Sequence, residues 1–304
     1  MCALPATLPR RGQSLADRII CYGDVIDDLV VTPKGPIRAD TDTPSMIRSR
    51  PGGSAANTAA WLGAIEAPVD LVAVVGAGDS ERHRTLLPGV NAYLREHASL
   101  QTGRIVIIVQ NERRDMLTDR GANVDLSPDD ITPIMLKRAR LVHFTGHALL
   151  NIDGYARIRT LIERCRAAGV FVSVSPGSAG FIQDVGVERD RRAFVGADMV
   201  FSGLEDGLLL SGAGDPETAV IGLNEQFEVA IVTRGSQGLI VSDRGNVFSL
   251  DIEPLPTVDP TGAGDAFCAG FLDDWIVTGD CRSAAESGVE LAAEAVGVLG
   301  GRPA

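Results

Sequence analysis

Six apolar runs, at residues 19–22, 69–75, 141–144, 170–174, 199–201 and 229–232, recur along the chain between segments of helical pattern, and this rhythm constrains the fold more than any other feature. Short continuous apolar runs are what strands buried on both faces look like, and strands alternating with helices build β–α units around a mostly parallel sheet. Helices are expected over 58–65, 152–168, 216–226, 263–277 and 282–299, the last rich in alanine and stopped by Gly300 and Gly301. With 45% hydrophobic but only 5% aromatic residues, the packing between helices and sheet should be aliphatic. One large α/β domain is expected over 17–304, after a disordered extension at 1–16. Two stretches break the rhythm. Residues 30–50 are polar and punctuated by proline, and 104–118 alternate about a turn expected at Asn111 and Glu112, as a hairpin does.

The run Asp259, Pro260, Thr261, Gly262, Ala263, Gly264, Asp265 sets a glycine turn and a carboxylate where the fourth of these helices should begin. Glycines at 262 and 264 permit positive φ and leave backbone N–H groups pointing outward, which with the helix dipole make an anion site. Phe267, Cys268, Phe271, Leu272 and Trp275 share one helical face and should hold that site still by packing inward. Asp265 falls in the first turn, where the dipole favours its ionised form, as suits a base that takes a proton from a hydroxyl. A helix cap on an ordinary turn accounts for the same letters.

A second glycine element, Pro51, Gly52, Gly53, Ser54, Ala55, Ala56, Asn57, precedes a helix as well. With both in view the chain resembles the ribokinase-like sugar kinases, also called the phosphofructokinase B type. The likeness starts at residues 19–28, continues through Thr102 and Gly103, Gly121 to Asn123 and the segment Thr233 to Gly238, and ends near Gly301. It implies a three-layer α/β sandwich with a mostly parallel central sheet and a small β-sheet lid, the lid segments lying at about 30–50 and 103–120. It implies ATP-dependent phosphorylation of a sugar or nucleoside hydroxyl, with Asp265 as base and the amides of Gly262, Ala263 and Gly264 holding the transferring phosphoryl group. Asp28, Gly52, Gly53 and Asn57 match its acceptor-binding positions, and Thr233, Gly235 and Gly238 its nucleotide segment. Mg2+ is implied with ATP. Asp259 stands at its monovalent-cation loop, which implicates K+, while turn formation before Pro260 explains that residue equally well.

This chain departs from the family pattern at Gly203 and Asp206, where an asparagine and a glutamate that organise magnesium are usual, and at Ser175, where an aspartate is common. Asp206 is one methylene short of glutamate but can act on magnesium through water. These departures keep open a rival reading, a kinase-like binding or regulatory protein that has lost turnover. A dinucleotide-binding reading of Gly76, Ala77, Gly78 fails, because Glu81 stands where a small residue is required. Lysine occurs only at 34 and 137, so arginine must supply any phosphate clamp.

A net charge of −12 argues against nucleic acid or an anionic membrane as partner, but leaves ATP open, since local amides override the global sign. Five scattered cysteines without C-x-x-C spacing read as reduced thiols of a cytoplasmic protein. The histidines at 83, 97, 143 and 147 form no metal array. Ser54 replaces a lysine common in ribokinase-type members, and the run Thr118 to Asn123 resembles members that act on a nucleoside such as pseudouridine. Free sugars and sugar phosphates stay open as acceptors; Arg48 and Arg50, alternating on the lid, either meet an acceptor phosphate or, as such charges more often do, face solvent. An exposed lid edge allows a homodimer.

Overall fold

The computed structural model of the chain describes residues 17–110, 113–146 and 154–303. Strand β1 (Arg18–Tyr22) runs through the middle of the molecule and hands over to two strands outside the main sheet, β2 (Ile26–Pro33) and β3 (Ser45–Gly52). The chain returns through α1 (Ser54–Ala64) to β4 (Val69–Gly76), α2 (Ser80–Thr85) and β5 (Val90–His97). A second excursion, β6 (Gly103–Gln110) and β7 (Arg113–Asp119), completes the outer sheet. Strand and helix then alternate through α3 (Pro133–Leu136), β8 (Ala139–Thr145), α4 (Gly154–Ala167), β9 (Phe171–Ser175), α5 (Ala179–Val185), α6 (Val187–Ala193), β10 (Met199–Gly203), α7 (Leu204–Ser211), α8 (Pro216–Leu223) and β11 (Val229–Thr233). A hairpin, β12 (Leu239–Asp243) and β13 (Asn246–Leu250), and the helices α9 (Ala263–Thr278) and α10 (Cys281–Val296) follow.

The main sheet has nine strands in the order β13-β12-β11-β10-β9-β8-β1-β4-β5, parallel from β11 to β5 and antiparallel in the hairpin. Its strands carry apolar residues on both faces because both faces are covered. Ile19 and Cys21 join the cluster under α1, α9 and α10, whereas Ile20 and Tyr22 join the one under α4, α6 and α8. These are the three layers the apolar runs imply. The stripe on α9 is buried as expected at Phe267, Cys268, Phe271, Leu272 and Trp275. Phe271 and Trp275 meet Phe201 and Phe171 edge-on at 5.1 and 5.0 Å between ring centroids, which anchors α9 on the sheet.

Two pieces of the main sheet have no counterpart in the sequence reading. Strand β5 alternates buried and exposed positions and so shows no continuous apolar run, and β12–β13 is a short hairpin at the opposite edge. Helix α1 starts at Ser54, earlier than position 58, because Gly53 at φ 93° already serves as its N-cap. The outer sheet, ordered β3-β2-β6-β7, is wider than expected, since Ile26 pairs with both Gly52 and Gly103 and the strand is nearly continuous with β1. The turn expected at Asn111 and Glu112, the extension at 1–16 and His147 lie outside the described residues. Among the described residues no helix is long and apolar enough to cross a membrane.

Candidate active site

The glycine turn is built where the sequence puts it. Gly262 is the N-cap of α9 at φ 80°, and a Cβ there would come within 2.5 Å of the Gly301 Cα, so both its conformation and its neighbour exclude a side chain. Asp265, in the first turn of α9, accepts hydrogen bonds from Ser54 Oγ at 2.5 Å and Asn57 Nδ2 at 3.0 Å. Two glycine elements more than two hundred positions apart thus meet through one carboxylate.

The ionisation expected from the helix dipole is corrected by the structure. Burial pushes the Asp265 carboxyl up to about 7, with the Asp24 charge adding to it, against the hydrogen bonds from Ser54 and Asn57 and the Arg302 charge. Desolvation of a carboxylate outweighs a dipole worth about 0.3–1 kcal/mol at a helix end. The consequence suits a base, because a pKa near the working pH combines an ionised form with real basicity.

Asp28 lies on β2, and burial followed by the Asp24 charge raises its carboxyl to about 6, with Arg302 opposing. A Cβ on Gly52 would stand 2.2 Å from Asp28 Oδ2, so the glycine is what lets this carboxyl sit against the strand. A Cβ on Gly53 would likewise stand 2.5 Å from the Asp24 carbonyl oxygen. The acceptor residues inferred from sequence, Asp28, Gly52, Gly53 and Asn57, are therefore gathered beside the α9 turn.

Sequence reading missed the residue that joins them. Arg302, 7% exposed, donates from Nε to Asn57 Oδ1 at 3.2 Å, from one terminal nitrogen to the Gly52 carbonyl at 2.8 Å and from the other to the Leu86 carbonyl at 3.3 Å. Next to it, the Gly301 carbonyl accepts from Trp61 Nε1 at 3.0 Å. Gly300 and Gly301, read as a helix stop, form with Arg302 a wedge between α1 and the α9 turn. No local pattern announces it, because its partners lie 245 and 250 positions away.

A cleft of about 240 Å³ opens between the outer sheet and the segments 258–261 and 299–301; Asp28, Arg48, Arg50, Arg114 and Asp259 line it. Arg50 donates to the Leu299 carbonyl. Arg114, also missed, reaches from β7 to Thr261 Oγ1 at 3.0 Å and Asp259 Oδ1 at 3.1 Å. Asp259 further accepts from the Thr261 amide and hydroxyl and from the Gly300 amide, and these bonds with the Arg114 charge hold it below the usual carboxylate range although burial pulls the other way. With four donors on its two oxygens, Asp259 is built into the turn, one of its two readings.

Thr233, Gly235 and Gly238 stand apart from this cluster, at and beyond the C-terminal end of β11. Thr233 is the register partner of Gly203, and its Oγ1 donates to the Ser202 carbonyl at 3.3 Å. Gly238, at φ 81°, closes on the Leu250 carbonyl, which a Cβ would meet at 1.9 Å. Asp206 accepts from the Gly203 amide at 3.1 Å and caps α7; burial raises its pKa, against the amides of Gly203 and Ala179. That carboxylate is shared between the cap of α7 and the Ala179 amide of α5. With Gly203 lacking a side chain, the residues here do not form a protein cage for magnesium.

Known proteins share this fold and its family. The profile of the pfkB family carbohydrate kinases matches residues 16–304. A fructokinase of Klebsiella pneumoniae is 28% identical over 267 residues, covering 84% of this chain and 83% of its own. An ATP-dependent ribose-1-phosphate kinase of Halopiger xanaduensis is 29% identical over 273 residues, covering 87% and 88%. Among solved structures, adenosine kinase from Sinorhizobium meliloti superposes with a TM-score of 0.81 at 23% identity, over 95% of this chain and 96% of that one.

Proposed function

Because the chain belongs to the pfkB family of carbohydrate kinases, we propose that it transfers the γ-phosphoryl group of ATP to a hydroxyl of a sugar or nucleoside, with Asp265 as the base. The observation that carries this reading is the Asp265 carboxyl itself, raised to about 7 and held by Ser54 and Asn57 at the mouth of a positive-φ glycine turn. Phosphoryl transfer asks for alignment and charge stabilisation more than covalent help. The amides of Gly262, Ala263 and Gly264 supply donors at the N-terminus of a sixteen-residue helix fixed by aromatic packing. Asp28 accepts from acceptor hydroxyls, and the bare backbone at Gly52 and Gly53 lets the ring approach. Arg114, next to the turn, is the arginine available for the phosphates. Thr233, Gly235 and Gly238 border the nucleotide at the carboxyl ends of the strands, where open α/β sheets bind ligands. ATP would bring magnesium on its own phosphates.

The intact acceptor side weighs against the reading that turnover has been lost. The acceptor stays open between a free sugar, a sugar phosphate and a nucleoside; the three relatives span all of these. The outer face of the lid, opposite the cleft, carries Leu29, Val31, Ile47, Val106, Ile108 and Leu117 in register, with Ile47 and Leu117 more than half exposed. A homodimer through this face would cover them, and sedimentation of the chain tests it.

The deciding experiment is a 31P NMR screen with MgATP against pentoses, hexoses, sugar phosphates and nucleosides. A new phosphomonoester signal that requires one acceptor class supports the proposal. ATP binding without acceptor-dependent turnover across the panel would transfer the weight to the binding-protein reading.

A further inference from the structure

We propose that Arg302 is a positioning residue for phosphoryl transfer, whose Nε–H holds the side-chain oxygen of Asn57 and so turns the amide's NH2 group onto Asp265. The inference rests on the reading of Asp265 as base and goes beyond it, to what sets that base.

A guanidinium has donors only. Whichever atom of the Asn57 amide faces Arg302 must therefore be its oxygen, and the NH2 group must face the other way, toward Asp265 Oδ2 at 3.0 Å. The polarity of the relay Arg302 to Asn57 to Asp265 is thus fixed by chemistry and favours an ionised carboxylate at its end. Arg302 is itself held at three points, through Asn57 Oδ1 and the carbonyls of Gly52 and Leu86, so its fork has little freedom to swing. The same grip sets Gly301 against the Asn57 amide and the Gly262 turn, where Cβ atoms would clash at 2.4 and 2.5 Å. One arginine thereby ties the acceptor strand, the Asn57 helix and the phosphoryl turn to each other.

The charges around this relay are unbalanced without it. Asp24, Asp27, Asp28 and Asp265 all act on Arg302, the thiols of Cys21 and Cys268 lie near Asp265, and His83 near Arg302 is held neutral by burial, its pKa lowered to about 4. Burial lowers Arg302 to about 10, still well above neutral, so it remains the cation among these carboxyls.

The test needs no knowledge of the acceptor: carboxyl 13C NMR titration of the full chain, with Asp265→Asn identifying the Asp265 signal and 1H–15N spectra following the Asn57 side chain. In Arg302→Gln the Asp265 midpoint should rise by about one pH unit, the order of shift a lost charge partner produces. In an Asn57→Ala background the same Arg302 substitution should move the midpoint much less. An unchanged midpoint in Arg302→Gln overturns the proposal, and an equal shift in both backgrounds overturns the relay by showing that Arg302 acts as a distant charge. If Arg302→Gln does not fold, Arg302→Lys takes its place: loss of the Asn57 amide response to Asp265 titration supports the relay, and full retention contradicts it. With the acceptor found in the screen, kcat/KM should fall about 10- to 100-fold in Arg302→Gln, mainly through kcat. Retained turnover in Asp265→Asn would instead remove the base on which the relay acts.

Discussion

The two sides proposed for the acceptor and the nucleotide are built in opposite ways. Around Asp265, side chains from α1, α9 and the 300–302 wedge hold one another through Ser54, Asn57 and Arg302. Around Thr233, Gly235 and Gly238 the structure is strand ends and turns, with one side-chain bond from Thr233 Oγ1 to the Ser202 carbonyl, a close approach of Gly238 to the Leu250 carbonyl, and Asp206 capping α7. The difference teaches where preorganisation is required. The base must be aimed before the acceptor arrives, whereas a nucleotide brings its own magnesium and polyphosphate charge and needs mainly a shaped edge. Substitutions on the first side should therefore reduce turnover steeply, and those on the second should shift ligand requirements.

Apart from the base itself, the largest effect is expected at the turn. Gly262→Ala must either leave φ 80° or press on Gly301, so the amide cluster is lost and kcat should fall by on the order of 10² to 10³ while ATP still binds; a variant with full kcat would remove the turn from the chemistry. Next comes Asp28→Ala, which should weaken acceptor binding by roughly 1.5 to 3 kcal/mol with little effect on ATP. Calorimetry with both ligands separates the cases, since equal weakening would mean damage to the fold. Smaller still is the nucleotide side: Asp206→Glu should lower the magnesium concentration for half-maximal rate a few-fold at most. Identical magnesium curves for Asp206→Glu and Asp206→Ala would take that residue out of the mechanism.

The smallest effect lies outside both sides. Asp190 is fully buried, neither of its oxygens has a partner among the described residues, and burial raises it to about 7. Its folded pKa lies above the unfolded value near 4, so the stability it permits is complete below about pH 4 and is lost as pH rises through about 7. Asp190→Asn should flatten the decline of stability between about pH 4 and 7, read from urea unfolding at several pH values. An unaltered slope would show that folding does not raise the Asp190 carboxyl above its unfolded value.

How much of this was legible follows from how local each signal is. The buried strands could be read because a strand covered on both faces is apolar at every position, as at 69–75, whereas β5 alternates and merges with polar neighbours. Asp265 and Asn57 could be read because each stands beside glycines whose purpose is local. Arg302 and Arg114 could not, since their roles exist only once residues far apart in sequence meet. The sign of the Asp265 shift was misread for the same reason: a helix dipole is visible in a heptapeptide, and desolvation by the surrounding fold is not.

The central claim, that Asp265 is a base tuned by burial, is tested most directly by the pH dependence of kcat/KM for the acceptor identified by screening. The account predicts a rate that climbs about tenfold per pH unit to a limb near pH 7, with Asp265→Asn slower by on the order of 10² to 10⁴ and lacking that limb. A profile flat from pH 5 to 8, or an Asp265→Asn variant within a few-fold of the parent, would contradict it.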